Sequence, residues 1–286
     1  MSTLTITTIQ ADLQWEDKDA NLRRLEEKIL GIPGTTELVI LPEMFSTGFS
    51  MRPEALAERM DGPTVDWMRR VAARRKIILT GSVIIEEEGK YFNRLIWMLP
   101  NGQYGHYDKR HRFAYAGENE HYTAGHTRLV ASVKGWKVLL LVCYDLRFPV
   151  WSRQAAPAEM PGAGSFAGPE TDFTEAGPIP PPGLEYDLLV YVANWPERRS
   201  HAWKTLLQAR AIENQSYVVG VNRVGSDGNQ VAHSGDSLII DPLGEMLYHG
   251  VGKEDVFTLM LDKAKLEEIR QRFPFWKDAD HFNIEP

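Results

Sequence analysis

Short apolar runs alternate with amphipathic segments of helix length along the whole chain, and that alternation predicts a mixed α/β architecture. Leu4 to Ala11, rich in Thr and Ile, reads as a strand. In Asp17 to Leu30 the residues Leu22, Leu25, Ile29 and Leu30 share one face and charges take the other, which is helical spacing. Leu38 to Leu41 reads as a buried strand stopped by Pro42. Pro63 to Arg75 reads as a helix with its proline in the first turn, where a missing N–H costs little. Ile77 to Ile85 and Tyr91 to Leu99 are two neighbouring strands across the acidic turn Glu86 to Lys90, and Pro100-Asn-Gly102 turns the chain into a short strand, Gln103 to His106. Lys137 to Val142 and Asp187 to Ala193 are apolar almost throughout, as strands covered on both faces are. A helix over His201 to Asn214 and a strand over Tyr217 to Asn222 follow. A hairpin then joins Ser237–Asp241 to Glu245–His249, and a last strand, Val256 to Leu261, precedes a charged helix ending near Arg272.

The pattern has no compositional break, so the reading is one layered α/β domain over residues 1–286. Residues 155–183 stand apart: seven Pro, five Gly, four acids and no Lys or Arg predict an irregular, mobile insert, since so little apolar surface cannot offset ordering. Its Gly162-Ala-Gly164 and Gly168 have the look of a phosphate loop, but no strand precedes them and no Lys-Ser/Thr follows. A formal charge of −7 argues against a nucleic-acid partner, which needs a surplus of Lys and Arg. One cysteine cannot build a disulfide framework. No apolar stretch approaches the roughly 20 residues of a membrane helix. The start, Met1 to Asp12, lacks the basic and apolar segments of a signal peptide, so the expected location is the cytoplasm.

Three residues sit where chemistry collects. Cys143 ends the run Val138 to Val142 at the turn out of a buried strand, a place that aims a nucleophile and offers backbone N–H groups to a developing oxyanion. Glu43 follows the strand Leu38 to Leu41, and Lys109 follows the short strand before it. A carboxylate can take a thiol proton and later protonate a leaving amine, and a fixed ammonium can stabilise thiolate and oxyanion. Singly, each has an ordinary reading: a buried structural thiol, a turn acid, a solvated charge.

Together they resemble the Glu–Lys–Cys triad of the nitrilase superfamily of carbon–nitrogen hydrolases. The motifs that carry the resemblance are Leu41-Pro-Glu-Met-Phe-Ser-Thr-Gly-Phe49, Asp108-Lys-Arg-His111, Cys143-Tyr-Asp-Leu-Arg-Phe-Pro149, Val190-Tyr-Val-Ala-Asn-Trp-Pro196, Ala209-Arg-Ala-Ile-Glu-Asn-Gln215 and Gly220-Val-Asn-Arg-Val-Gly-Ser-Asp-Gly228. They are most similar to the bacterial omega-amidase branch. The resemblance implies an α-β-β-α sandwich, a homodimer or larger assembly, and no metal or organic cofactor. It implies Glu43 as general base, Cys143 as nucleophile, Lys109 with the Tyr144 backbone N–H as oxyanion stabilisers, and Glu118 as a second glutamate supporting Lys109, with Glu120 its rival. Glu118, Glu120, His121 and His126 also invite a metal reading, but they lack the convergent spacing of a zinc site.

The implied substrates are small omega-amides of 2-oxo acids, 2-oxoglutaramate and 2-oxosuccinamate. A carboxylate on such a ligand calls for an Arg clamp, for which Arg199 is the candidate and Arg198 the rival. Phe49 and Trp195 are candidate pocket walls. Asp145 and Arg147 are expected to pair with each other or with the framework, and Arg210 with Glu213 along one helix. The competing readings are another amidase of the superfamily, acting on deaminated glutathione, an N-carbamoyl amino acid or a nitrile, and a catalytically silent binding protein. The insert departs from the family pattern and is expected to be a surface excursion.

Overall fold

The computed structural model describes residues 2–154, 163–165, 184–280, 282 and 284. The chain opens with β1 (Thr3–Gln10), α1 (Lys18–Leu30) and β2 (Leu38–Ile40), then passes through a short α2 (Pro53–Leu56) and α3 (Pro63–Arg75). The strands β3 (Ile78–Glu87), β4 (Lys90–Met98) and β5 (Tyr104–Asp108) follow, and then a single turn of helix, α4 (Glu118–His121). Next come β6 (Arg128–Val133), β7 (Trp136–Val142), α5 (Pro149–Ser152), β8 (Ala163–Ser165) and β9 (Leu188–Ala193). The remainder is α6 (Ser200–Asn214), β10 (Tyr217–Asn222), β11 (Val224–Ser226), β12 (Ala232–Ile240), β13 (Met246–Val251), β14 (Asp255–Asp262) and α7 (Lys263–Arg272).

The strands form two sheets. One runs β14-β1-β2-β3-β4-β5, and the other β11-β12-β10-β9-β7-β6-β8 with β13 on β12. In β2, Leu38 and Ile40 belong to the core shared with the second sheet, whereas Val39 belongs to the core under α1 and α3. The shared core extends through β7, β9 and β10 to Trp203, Leu207 and Ala211 of α6. Both faces of both sheets are therefore covered, which is why β7 and β9 are apolar without alternation, and the layers read α-β-β-α as expected.

Local chemistry sets the boundaries. The Asp17 carboxylate accepts the Ala20 N–H at 3.0 Å and starts α1. α7 is tied to the start of β9 by Asp187, which pairs with Lys263 and with Arg270, both at 3.0 Å. The helix α6 lies close on β10 because residue 220 is glycine: a Cβ there would stand 2.4 Å from Leu207 Cδ1 and 2.7 Å from Trp203 Cζ2.

A 3₁₀ turn over Cys143–Arg147 leads from β7 to the four residues of α5. Two sequence expectations change. Strands β6 and β11 carry too few alternating positions to show in the pattern. Within the insert, Ala163–Ser165 pairs in parallel with Arg128–Val130, so these three residues are a strand and neither irregular nor a phosphate loop. The expectation of an irregular excursion for 155–162 and 166–183 lies outside the described residues. The ends flanking the insert are pinned together, the Gln154 side-chain oxygen accepting the Glu185 N–H at 3.0 Å. Among the described residues no helix is long and apolar enough to cross a membrane.

Two predictions follow from this packing. Gly220→Ala overpacks the α6–β10 contact and is expected to cost about 1–3 kcal/mol, measured by urea unfolding. His233 in β12 is buried beside the Arg223 guanidinium; burial first, then that charge, push its pKa down to about 4. Its neutral form is favoured in the fold, so stability is full above about pH 6.5 and falls as the unfolded chain takes a proton that the native state refuses, down to about pH 4. His233→Gln should remove up to about 3 kcal/mol of that slope in unfolding curves taken across the window.

Candidate active site

Cys143 stands at the carboxyl end of β7 with φ of 45°, a left-handed conformation that a residue with a Cβ adopts only when its surroundings impose it. The surroundings are Asp145. Its buried carboxylate accepts the Val142 N–H at 3.0 Å, the Tyr107 hydroxyl at 2.7 Å and the His111 N–H at 3.0 Å, and it meets His111 Nδ1 at 2.8 Å. On the far side Arg210 of α6 donates to the Leu146 carbonyl at 2.7 Å while also pairing with Glu213 at 3.0 Å. The elbow that aims the thiol is thus fixed to β5, the loop after it and α6. The Tyr144 N–H lies in the first turn of this 3₁₀ segment, the part of a helical turn whose amides lack internal partners.

Beside the thiol lies a buried cluster of charge. Glu43, in the loop after β2, accepts from Lys109 Nζ at 2.9 Å and from Asn93 Nδ2 at 2.8 Å through one oxygen, and from the Asn194 N–H at 2.8 Å through the other. Lys109, just past β5, also donates to both oxygens of Glu118, at 3.0 and 2.8 Å. Asn93 of β4 bridges the two carboxylates, reaching Glu118 at 3.2 Å. All three charged side chains are essentially without solvent exposure. Glu118, and not Glu120, is therefore the glutamate on Lys109; Glu120 is exposed, as is His126. Among the described residues no three His, Cys, Asp or Glu side chains gather to hold a metal ion.

The electrostatics follow from two carboxylates facing one ammonium. Burial alone drives the Lys109 pKa down, but Glu118 and Glu43, with Cys143, outweigh it and hold it above the ordinary lysine value, so the cation is permanent. Burial raises Glu118, Lys109 opposes this, and the Glu43 charge adds to the rise. The Cys143 thiol is pushed well above its usual range by burial and then by Glu43, with which it shares a hydrogen bond; Lys109 pulls the other way. At rest Cys143 is thus a neutral thiol beside the Glu43 carboxylate. Such an arrangement can release the thiol proton as a carbon–sulfur bond forms, with no free thiolate beforehand.

The thiol opens on a cavity of about 170 Å³, whose wall includes Phe49, Tyr144, Trp195, Arg198 and Arg199. Phe49 lies over Lys109, its ring centroid 5.1 Å from Nζ. Trp195 is held by its indole N–H to the Arg199 carbonyl at 2.8 Å and by its backbone N–H to Asn222 at 2.8 Å. Of the two alternatives for Asp145 and Arg147, the framework one describes Asp145, which is engaged by Val142, Tyr107 and His111; the Arg147 guanidinium lies over the Trp195 ring, 5.1 Å from its centroid, in the cavity wall. Sequence reasoning also gave no role to Asn93 or Asn194, the two amides that hold Glu43. The visible signal was a polar Asn within the Tyr91–Leu99 strand and another directly after the apolar strand that ends at Ala193.

The sequence and the fold have counterparts among known proteins. The model of the carbon–nitrogen hydrolase family matches residues 5–161 and 184–271, and the gap falls inside the insert. The chain is 41% identical to the omega-amidase YafV of Escherichia coli over 285 residues, 99% of this chain and 100% of that protein. It is 28% identical to the 2-oxoglutaramate amidase of Bacillus subtilis over 277 residues, 96% of each. Its fold superposes with a TM-score of 0.90 on a crystal structure of a CN-hydrolase superfamily protein from Xanthomonas campestris that carries an arsenic adduct in its active site, at 43% identity and 100% coverage of both chains. With the family model spanning most of its length and close relatives matching from end to end, this chain belongs to the carbon–nitrogen hydrolase family.

Proposed function

We propose that the protein is an omega-amidase, hydrolysing the terminal amide of small 2-oxo acid amides such as 2-oxoglutaramate and 2-oxosuccinamate to ammonia and the dicarboxylic 2-oxo acid. The observation that carries this reading is the buried Glu43–Lys109–Glu118 cluster beside Cys143, opening on a cavity walled by arginines. The relatives named omega-amidase and 2-oxoglutaramate amidase, the first at 41% identity, support the substrate class.

In this mechanism Cys143 Sγ attacks the amide carbon as Glu43 takes the thiol proton, and the carbonyl electron pair moves to oxygen. Lys109 and the Tyr144 N–H stabilise that oxyanion. When it collapses the carbon–nitrogen bond breaks, Glu43 returns the proton to nitrogen, and ammonia leaves a thioester on Cys143. Water then attacks the thioester, giving its proton to Glu43, and the restored thiol and the carboxylic acid product complete the cycle. Glu118 keeps Lys109 in place and charged throughout. Arg199, with Arg198 as its rival for the role, holds the substrate carboxylate, while Phe49 and Trp195 flank its carbon chain.

The reading includes a single carbon–nitrogen hydrolase domain over 1–286 that carries the 155–183 insert, and a homodimer or larger assembly. The decisive assay is ammonia release from 2-oxoglutaramate beside glutamine, an N-carbamoyl amino acid and a simple nitrile. Turnover of the keto amide, abolished in Cys143→Ala and lowered about 10²–10⁴-fold in Glu43→Gln, is the expected result. Turnover of another member of the panel alone would keep the triad and replace the substrate; silence on all four would favour a binding protein. A variant joining Gln154 to Leu184 through a short Gly-Ser linker should keep kcat/KM within a few-fold, because the two ends already meet. Collapse of activity in that variant, while folded by circular dichroism, would give the insert a part in the site.

A further inference from the structure

Two walls of the cavity are loops from different sheets. Phe49 and Met51 belong to the loop after β2, and Asp227, Asn229 and Val231 to the loop between β11 and β12. The segment that follows β1 is tied to both. At its start the Val224 N–H donates to the Ala11 carbonyl at 3.0 Å. The buried Arg223 guanidinium donates to Asp12 and to the Leu13 carbonyl, both at 3.1 Å, and to the Ser226 carbonyl at 3.2 Å. At its end the Glu16 N–H donates to the Thr47 carbonyl at 2.7 Å, and the Glu16 carboxylate accepts from the Ser50 hydroxyl at 2.6 Å and from Arg52 at 2.7 Å. Trp15 lies between these anchorages. A Cβ at Gly48 would stand 3.2 Å from Trp15 Cε3, and one at Gly228 would stand 2.3 Å from Trp15 Nε1. The benzene half of the indole therefore rests on one loop and the pyrrole half on the other, each at a glycine that leaves room for it. Trp15 does this without lining the cavity itself.

We propose that Trp15 is a positioning residue that holds these two walls at a fixed spacing and so limits the chain length of the amides the site accepts. The inference rests on the omega-amidase reading for the substrates it ranks, and adds to it a residue that sets their length. Cys143 fixes where the reacting carbonyl must stand, so a longer chain can be housed only if the walls move apart. A segment hydrogen-bonded at both ends, with an indole packed between two backbones, resists that movement, because close-packed groups have little room to adjust. One methylene too many for a pocket of fixed size is worth about 10–200-fold in kcat/KM. The indole touches neither the thiol nor the buried charge cluster, so its part falls on binding and not on the chemical steps.

The test compares the omega-amides of the four-, five- and six-carbon 2-oxo dicarboxylic acids, with kcat and KM measured separately. The wild-type enzyme should favour the two shorter amides over the longest by about tenfold or more in kcat/KM. Trp15→Ala should narrow that lead by about fivefold or more, through a higher KM for the shorter amides and with their kcat within about threefold of the wild type. Trp15→Phe, which keeps a flat ring between the loops, should retain most of the lead. The backbone at Gly228 is not left-handed, so the indole is what an added methyl meets there. Gly228→Ala should therefore narrow the lead by itself and add nothing in the Trp15→Ala background. A purely structural role lowers kcat/KM on all three amides by one factor and leaves the lead unchanged, and that result overturns the proposal; Gly228→Ala decides it alone where Trp15→Ala does not fold. A wild type without chain-length preference overturns it too, with the omega-amidase reading intact. Failure on all three amides by an enzyme that hydrolyses the carbamoyl or nitrile compound removes both.

Discussion

The ammonium of Lys109, buried between Glu43 and Glu118, is the constraint on which the rest of the site depends. An unpaired ammonium in a protein interior carries a penalty of several kcal/mol, and removing one partner from a buried pair costs about 3–5 kcal/mol. The charge therefore draws together the loop after β2, the chain beyond β5 and the single turn α4, and Asn93 on β4 closes the gaps between the carboxylates. Burial first, and then the Glu43 charge against the opposing pull of Lys109, raise Glu118 and the nearby thiol. Cys143 is thereby kept protonated at rest, beside a carboxylate able to accept its proton.

Rigidity comes from a second buried carboxylate with a different task. Asp145 spends its lone pairs on Val142, Tyr107 and His111, and so holds the left-handed turn at Cys143 against its own strain. Neither Asp145 nor Arg210, which grips the Leu146 carbonyl, touches the cavity; their work is to fix where the thiol and the Tyr144 amide point. Chemistry and aim are thus assigned to separate carboxylates, one cluster on each side of the nucleophile.

The cavity meets the charged cluster through Cys143. The Glu43–Lys109–Glu118 cluster is buried behind the thiol, and the cavity wall holds three guanidiniums that are in no ion pair among the described residues. A molecule with a neutral amide at one end and a carboxylate at the other matches that arrangement.

The layers and the three central residues were legible because their signals are local. Strands covered on both faces need continuous apolar residues and helices on a sheet need one apolar stripe; Glu43 and Cys143 come just after such strands, and Lys109 follows the short β5. Tertiary contact decided the remainder. Glu118 and Glu120 are equivalent acids in the sequence, and only the fold of α4 turns the first onto Lys109 and leaves the second in solvent. Asp145 and Arg147 could be read as partners of each other or of the framework, and only the fold decides: Asp145 is claimed by β5 and the loop after it, and the Arg147 guanidinium lies over Trp195 in the cavity wall. Periodicity records which face a residue presents to its own element. Which distant group then meets that face is settled by the competition among buried charges and hydrogen bonds, and that competition exists only once the two sheets have packed.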